Sequence, residues 1–139
     1  MLQDWRCPLE EVKVGTGRKL HDGKDVAVLS IGPIGNDVAD AVKDMDVAHY
    51  DMRFLKPIDE AILQEVAERF QRIVTVENGV KTGGLGSAVL EWMNDHGYHP
   101  EVIRLGLPDT DFVEHGTVPE LQQIVGLDKE SIIKAIKKK

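Results

Sequence analysis

The stretch from Val76 to Val89, VENGVKTGGLGSAV, joins an apolar strand ending and an acid to Gly83, Gly84 and Gly86, then runs into helix-forming residues. A helix that begins after a strand and glycines presents unpaired backbone N–H groups and is a ready place for an anion. The phosphate-binding G-x-x-x-x-G-K-[ST] pattern needs its lysine after the glycines, whereas Lys81-Thr82 precedes Gly83. The dinucleotide pattern G-x-G-x-x-G, started at Gly84-Leu85-Gly86, meets Val89 where its third glycine belongs, and it would follow the third strand rather than the first. Two readings remain. In the expected one the glycines let the helix start tightly and lie close to the sheet; in the other, this loop with Ser87 holds a small anion.

Three more polar side chains, Arg53, Glu77 and His115, fall at or just beyond strand ends, where open α/β sheets face a ligand crevice. For Arg53, an ion pair with Asp51 or Glu77 stands beside a functional role. Other chemistries lack their parts. A response-regulator site needs acids at the end of the first strand, where this chain has Ser30-Ile31-Gly32. A flavodoxin phosphate loop needs hydroxyls where Gly32-Pro33-Ile34-Gly35 stands. His96 and His99 flank a loop without a clear third ligand for zinc, and no G-x-S-x-G elbow offers a nucleophile. No residue is assigned to catalysis, to a cofactor or to a metal.

The elements that must position these residues alternate from Asp25 onward. Val26-Ala27-Val28-Leu29-Ser30-Ile31 is a nearly continuous apolar run, as a parallel strand covered on both faces requires. Val38, Ala41, Val42 and Met45 recur at helical spacing, and Val47 to Met52 is a second strand. A helix follows Pro57, with Asp59 as its cap and Ile58 and Leu63 as a hydrophobic staple. Arg72 to Glu77 is the third strand, and the helix after the glycines turns Leu85, Val89, Trp92 and Met93 inward and stops near Gly97. Glu101 to Leu105 is the fourth. Thr117-Val118-Pro119-Glu120 is a capping box for a short helix ending at Gly126, and Asp128 caps a last helix with Ile132, Ile133 and Ile136. The pattern predicts a three-layer α/β/α domain over residues 25–139 with a mostly parallel sheet, preceded by an extended N-terminal arm or hairpin over 1–24.

Composition bounds the partners. The chain has 139 residues, the size of one ordinary domain, and 42% hydrophobic with 29% charged residues is ordinary for globular proteins. A formal charge of −7 argues against nucleic acid, because phosphate backbones are bound by Lys and Arg. Lys137-Lys138-Lys139 is expected as a solvated helix end. No apolar run approaches the ~18–20 residues of a membrane span, and MLQDWRCPLEEVK has no apolar core for a secretory signal. Cys7 stands alone, which fits a reducing compartment; a cytoplasmic location is expected.

Asp51-Met52-Arg53-Phe54-Leu55-Lys56-Pro57-Ile58-Asp59, then Val74-Thr75-Val76-Glu77-Asn78, then Gly83-Gly84-Leu85-Gly86-Ser87, then Leu107-Pro108-Asp109 and Glu114-His115-Gly116 resemble the C-terminal domain of 1-deoxy-D-xylulose-5-phosphate synthases, from about Pro8 to Ile136. The R-x-x-x-P-x-D and glycine elements are shared with transketolases and pyruvate dehydrogenase beta subunits; Leu-Pro-Asp followed by Glu-His-Gly, with Gly126-Leu127-Asp128 downstream, points to the synthases. The resemblance implies an enzyme joining pyruvate to glyceraldehyde 3-phosphate with loss of carbon dioxide, using thiamine diphosphate and Mg²⁺, whose product feeds isoprenoid, thiamine and pyridoxal synthesis. It also implies that the cofactor lies between the first two domains at a homodimer interface, so that none is expected in this chain alone. The metal-binding G-D-G…N motif is absent, and Glu77 does not inherit the cofactor-activating glutamate of the second domain. The chain is then expected to be structural and to support the dimer, with Arg53, Glu77, Gly83, Gly84, Gly86, Ser87, Asp109 and His115 as candidate interface or strand-end crevice residues. The alternatives are the C-terminal domain of a pyruvate or branched-chain 2-oxo acid dehydrogenase beta subunit, and a stand-alone small-anion-binding module.

Overall fold

Nearly continuous apolar runs send successive side chains to opposite faces of the sheet, so both faces must be buried, and helices cover both. The computed structural model describes Arg6 and residues 8–138, so Cys7 and Lys139 lie outside the described residues. The elements in chain order are β1 (Arg18–His21), β2 (Val26–Ile31), α1 (Gly35–Val42), β3 (Val47–Asp51), α2 (Glu60–Arg69), β4 (Arg72–Val80), α3 (Leu85–Asp95), β5 (Glu101–Leu107), α4 (Val118–Val125) and α5 (Lys129–Lys137). They form an α/β domain around a five-stranded sheet of order β1-β3-β2-β4-β5. The pairs β2·β3, β2·β4 and β4·β5 are parallel, as the helical crossovers demand.

Val26 and Val28 point to one face, with Val38 and Val42 of α1 and Ile132 and Ile136 of α5. Ala27 and Leu29 point to the other, with Leu63 and Val66 of α2 and Val89 and Met93 of α3. Each fully buried side chain of this size stabilises the fold by roughly 1.5–3 kcal/mol, so the two apolar layers dominate the energetics.

The stretch expected as an arm does more than lead into the domain. Arg18–His21 pairs antiparallel with β3 as a fifth, edge strand, with a register irregularity between Lys19 and His21. Its charged side chains face solvent and α2: Lys19 pairs with Glu65, and Glu65 also accepts from Arg69 and from the Tyr50 hydroxyl at 2.9 Å. Burial, with the Glu65 bond behind it, pushes the Tyr50 phenol well above its usual range. The strand β4 is longer than its apolar run, continuing through Asn78, Gly79 and Val80, and β5 continues to Leu107.

Helix ends follow the sequence signals. Asp59 accepts from the Ile62 N–H at 3.1 Å, both halves of the Thr117–Glu120 capping box are formed, and the Ser131 N–H donates to Asp128 at 3.4 Å. No helix among the described residues is long and apolar enough to cross a membrane.

Candidate functional site

Strand β2 leads to β3 on one side while β4 leads to β5 on the other, so the switch point of the sheet lies between β2 and β4. This is where open α/β sheets place ligands. At its carboxyl end Ile31 pairs with Glu77. The Glu77 side chain, on a residue that is 4% exposed, turns toward the start of α3. Its Oε2 accepts from the Leu85 N–H at 2.9 Å and its Oε1 from the Gly86 N–H at 3.1 Å. Gly84, the N-cap, has no side chain to cap the helix, and the carboxylate from the neighbouring strand takes that place. A negative charge at these amides is also favoured by the helix dipole.

The glycines are conditions of this arrangement. A Cβ at Gly84 would overlap the Glu77 carboxylate, and one at Gly86 would lie 2.6 Å from Arg104 Cγ and 2.7 Å from Thr75 Oγ1. Ser87 ties the loop from inside the helix: its Oγ accepts from the Gly83 N–H at 3.0 Å and donates to the Lys81 carbonyl at 3.0 Å. Arg104 on β5 donates to that same carbonyl at 3.1 Å and to Ser87 Oγ at 3.2 Å. On the outer side the Thr82 hydroxyl donates to Asp109, which follows β5. Glu77, Gly83, Gly84, Gly86, Ser87 and Asp109 therefore belong to one locked loop, joined by Lys81, Thr82 and Arg104.

Arg53 and His115 are placed elsewhere. Arg53 is half-buried just past β3 with φ 56°, a left-handed conformation that costs a residue with a Cβ roughly 1–2 kcal/mol. Asp51 holds it: the Arg53 N–H donates to Asp51 Oδ1 at 3.2 Å, and Arg53 Nε lies 3.8 Å from Asp51 Oδ2. Arg18 Nε shares that carboxylate at 3.3 Å. Of the two ion-pair partners expected for Arg53, Asp51 is the one engaged, because Glu77 faces α3. His115 is exposed in the loop before α4, beside Gly116 and Glu120. Among the described residues, no hydrogen bond or ion pair joins Arg53 or His115 to the glycine loop.

Sequence reasoning missed Arg104 and a buried Ser30–His49 pair. Each is a polar residue inside an otherwise apolar strand, and that interruption was the available signal. Ser30 Oγ and His49 Nε2 are 2.7 Å apart, both residues are fully buried, and His49 Nδ1 has no partner. Burial lowers the His49 pKa from 6.5 to about 4, against a smaller opposing effect of Asp51. A neutral imidazole held by a serine in a closed core is a packing element, since no substrate atom can reach either group.

A thiamine diphosphate would need free amides for its diphosphate and carboxylates for its metal. The α3 amides are taken by Glu77, whose charge would repel a phosphate. Among the described residues no group of three or more His, Cys, Asp or Glu could hold a metal ion. These residues do not fit that cofactor.

The parallel sheet with its antiparallel edge strand and locked glycine loop defines the class: the chain belongs to the family of the transketolase C-terminal domain, which matches residues 15–132. Within it, the chain is similar to the C-terminal part of 1-deoxy-D-xylulose-5-phosphate synthases. It is 56% identical to that of Bacteroides thetaiotaomicron over 144 residues, covering 99% of this chain. It is 54% identical to that of Parabacteroides distasonis over 142 residues, again covering 99% of this chain. The chain spans 22% of the length of each of these relatives. Among solved structures it is similar to a split-gene transketolase described as an inactive beta4 tetramer, with a TM-score of 0.84, 30% identity, and coverage of 93% of this chain and 43% of that one.

Proposed function

We propose that this chain is the third domain of a thiamine-diphosphate-dependent 1-deoxy-D-xylulose-5-phosphate synthase, and that it supports the second domain and the homodimer without carrying catalysis. In this reading residues 25–139 carry the α/β core, residues 1–24 are an N-terminal arm whose β1 joins the sheet as its edge strand, and the whole enzyme is cytoplasmic. It joins pyruvate and glyceraldehyde 3-phosphate with loss of carbon dioxide, using cofactor and Mg²⁺ held by its other domains. The observation that carries the reading is the 56% identity to a synthase over 99% of this chain, at 22% of that protein's length. Two further observations support a non-catalytic role. Glu77 occupies the α3 amides that follow the glycines, and the split-gene transketolase of like fold, 43% of whose chain this one covers, is described as an inactive beta4 tetramer.

The test is a chimera in which the matching region of the Bacteroides thetaiotaomicron synthase is replaced by this chain. Turnover of pyruvate with glyceraldehyde 3-phosphate, at a rate near that of the parent, is expected. A folded chimera that binds cofactor but makes no product would overturn the reading.

A further inference from the structure

Helix α4 is amphipathic, yet it buries none of its residues, whereas α1, α2, α3 and α5 each bury at least three. Val118, Leu121 and Val125 border an apolar groove of about 230 Å³ closed on its other side by Leu107 and Val113. Phe112, next to Val113, is 83% exposed, and Ile124, on the neighbouring side of α4 with His115 and Gly116, is 73% exposed. Well-formed caps hold this helix in place: the Thr117–Glu120 box at one end and Gly126 in the left-handed conformation at the other. A helix capped at both ends, with Leu121 and Val125 half-buried and Val118 and Ile124 exposed, has apolar surface left for a partner.

Charge says which kind. Residues 108–128 contain Asp109, Asp111, Glu114, Glu120 and Asp128 and no Lys or Arg. The Glu120 carboxyl is held below its usual range by the Thr117 hydroxyl and backbone, so the rim is negative across the neutral range. A second copy docked through the same patch would set these carboxylates against each other, which works against association.

We infer that the α4 groove and its acidic rim are the docking surface for the adjoining domain of the synthase, which presents an apolar centre edged by Lys and Arg. This rests on the function proposed above. Those relatives, of which this chain spans 22%, have the remaining length from which such a face would come.

Amide hydrogen exchange of residues 118–125 in the isolated chain and in the chimera tests it. In the chimera, exchange is expected to slow by at least about tenfold, because docking suppresses local opening of a thinly packed helix. Val118→Asp and Ile124→Asp, both at exposed positions, should return the chimera to fast exchange while leaving the urea midpoint of the isolated chain unchanged. An active chimera whose α4 exchanges as fast as in the isolated chain overturns this inference and leaves the proposed function standing. A folded, cofactor-binding chimera without product overturns the function and this inference with it. Protection that rises with the concentration of the isolated chain makes a second copy the occupant and also overturns it.

Discussion

Glu77 and Gly84 act as one unit, because the carboxylate occupies the volume a Cβ at Gly84 would need. Glu77→Ala strands two amides at a buried helix start, at a cost of about 1–3 kcal/mol. Gly84→Ala alone should cost about 1–3 kcal/mol through overlap, but little more once Glu77 has been shortened. Urea unfolding of the two single variants and the double variant measures this coupling, and simple additivity would show that the two do not share the site. His49 makes a second prediction at this scale. Its folded pKa of about 4 lies below the ordinary 6.5. The neutral imidazole therefore stabilises the fold fully above pH ~6.5, and that contribution, about 3 kcal/mol, is lost as pH falls toward ~4. Between those values, His49→Gln should show a shallower fall of stability with pH than the parent. Equal slopes would mean that His49 is not held neutral. The acid, the glycines and the serine of the loop were legible as a possible anion site, but the partner of Glu77 was not. Its contact depends on how α3 crosses β4, which a single sequence does not state.

The interiors of the elements were legible from apolar periodicity, and their ends from caps: Asp59, Thr117-Glu120 and Asp128 all act where their residue types predict. Strand β1 was harder to read because Arg18-Lys19-Leu20-His21 is an edge strand. Its charges blunt an exposed sheet edge and erase the apolar pattern that marks central strands. Asp59 also fastens this region, since its Oδ2 accepts from the Gly17 N–H at 2.8 Å. Asp59→Ala is expected to lose about 1–2 kcal/mol of stability through the missing cap. It should also speed tryptic cleavage at the exposed Lys13. Loss of stability with no change in cleavage would separate the cap of α2 from the anchoring of β1.

For the whole molecule, the carboxyl end of the sheet's switch point carries Glu77, whose carboxylate is spent on the first amides of α3. Under the function proposed above, the partners of this domain are the other parts of a synthase of which the chain spans 22% of the length. The class of fold followed from four strands alternating with helices. The α4 surface proposed for docking did not, because that helix's lack of buried residues becomes visible only when burial is known helix by helix. The most direct measurement is release of carbon dioxide from pyruvate by the isolated chain, supplied with thiamine diphosphate, Mg²⁺ and glyceraldehyde 3-phosphate. No release above the protein-free background is expected, and turnover by the isolated chain would contradict a non-catalytic role.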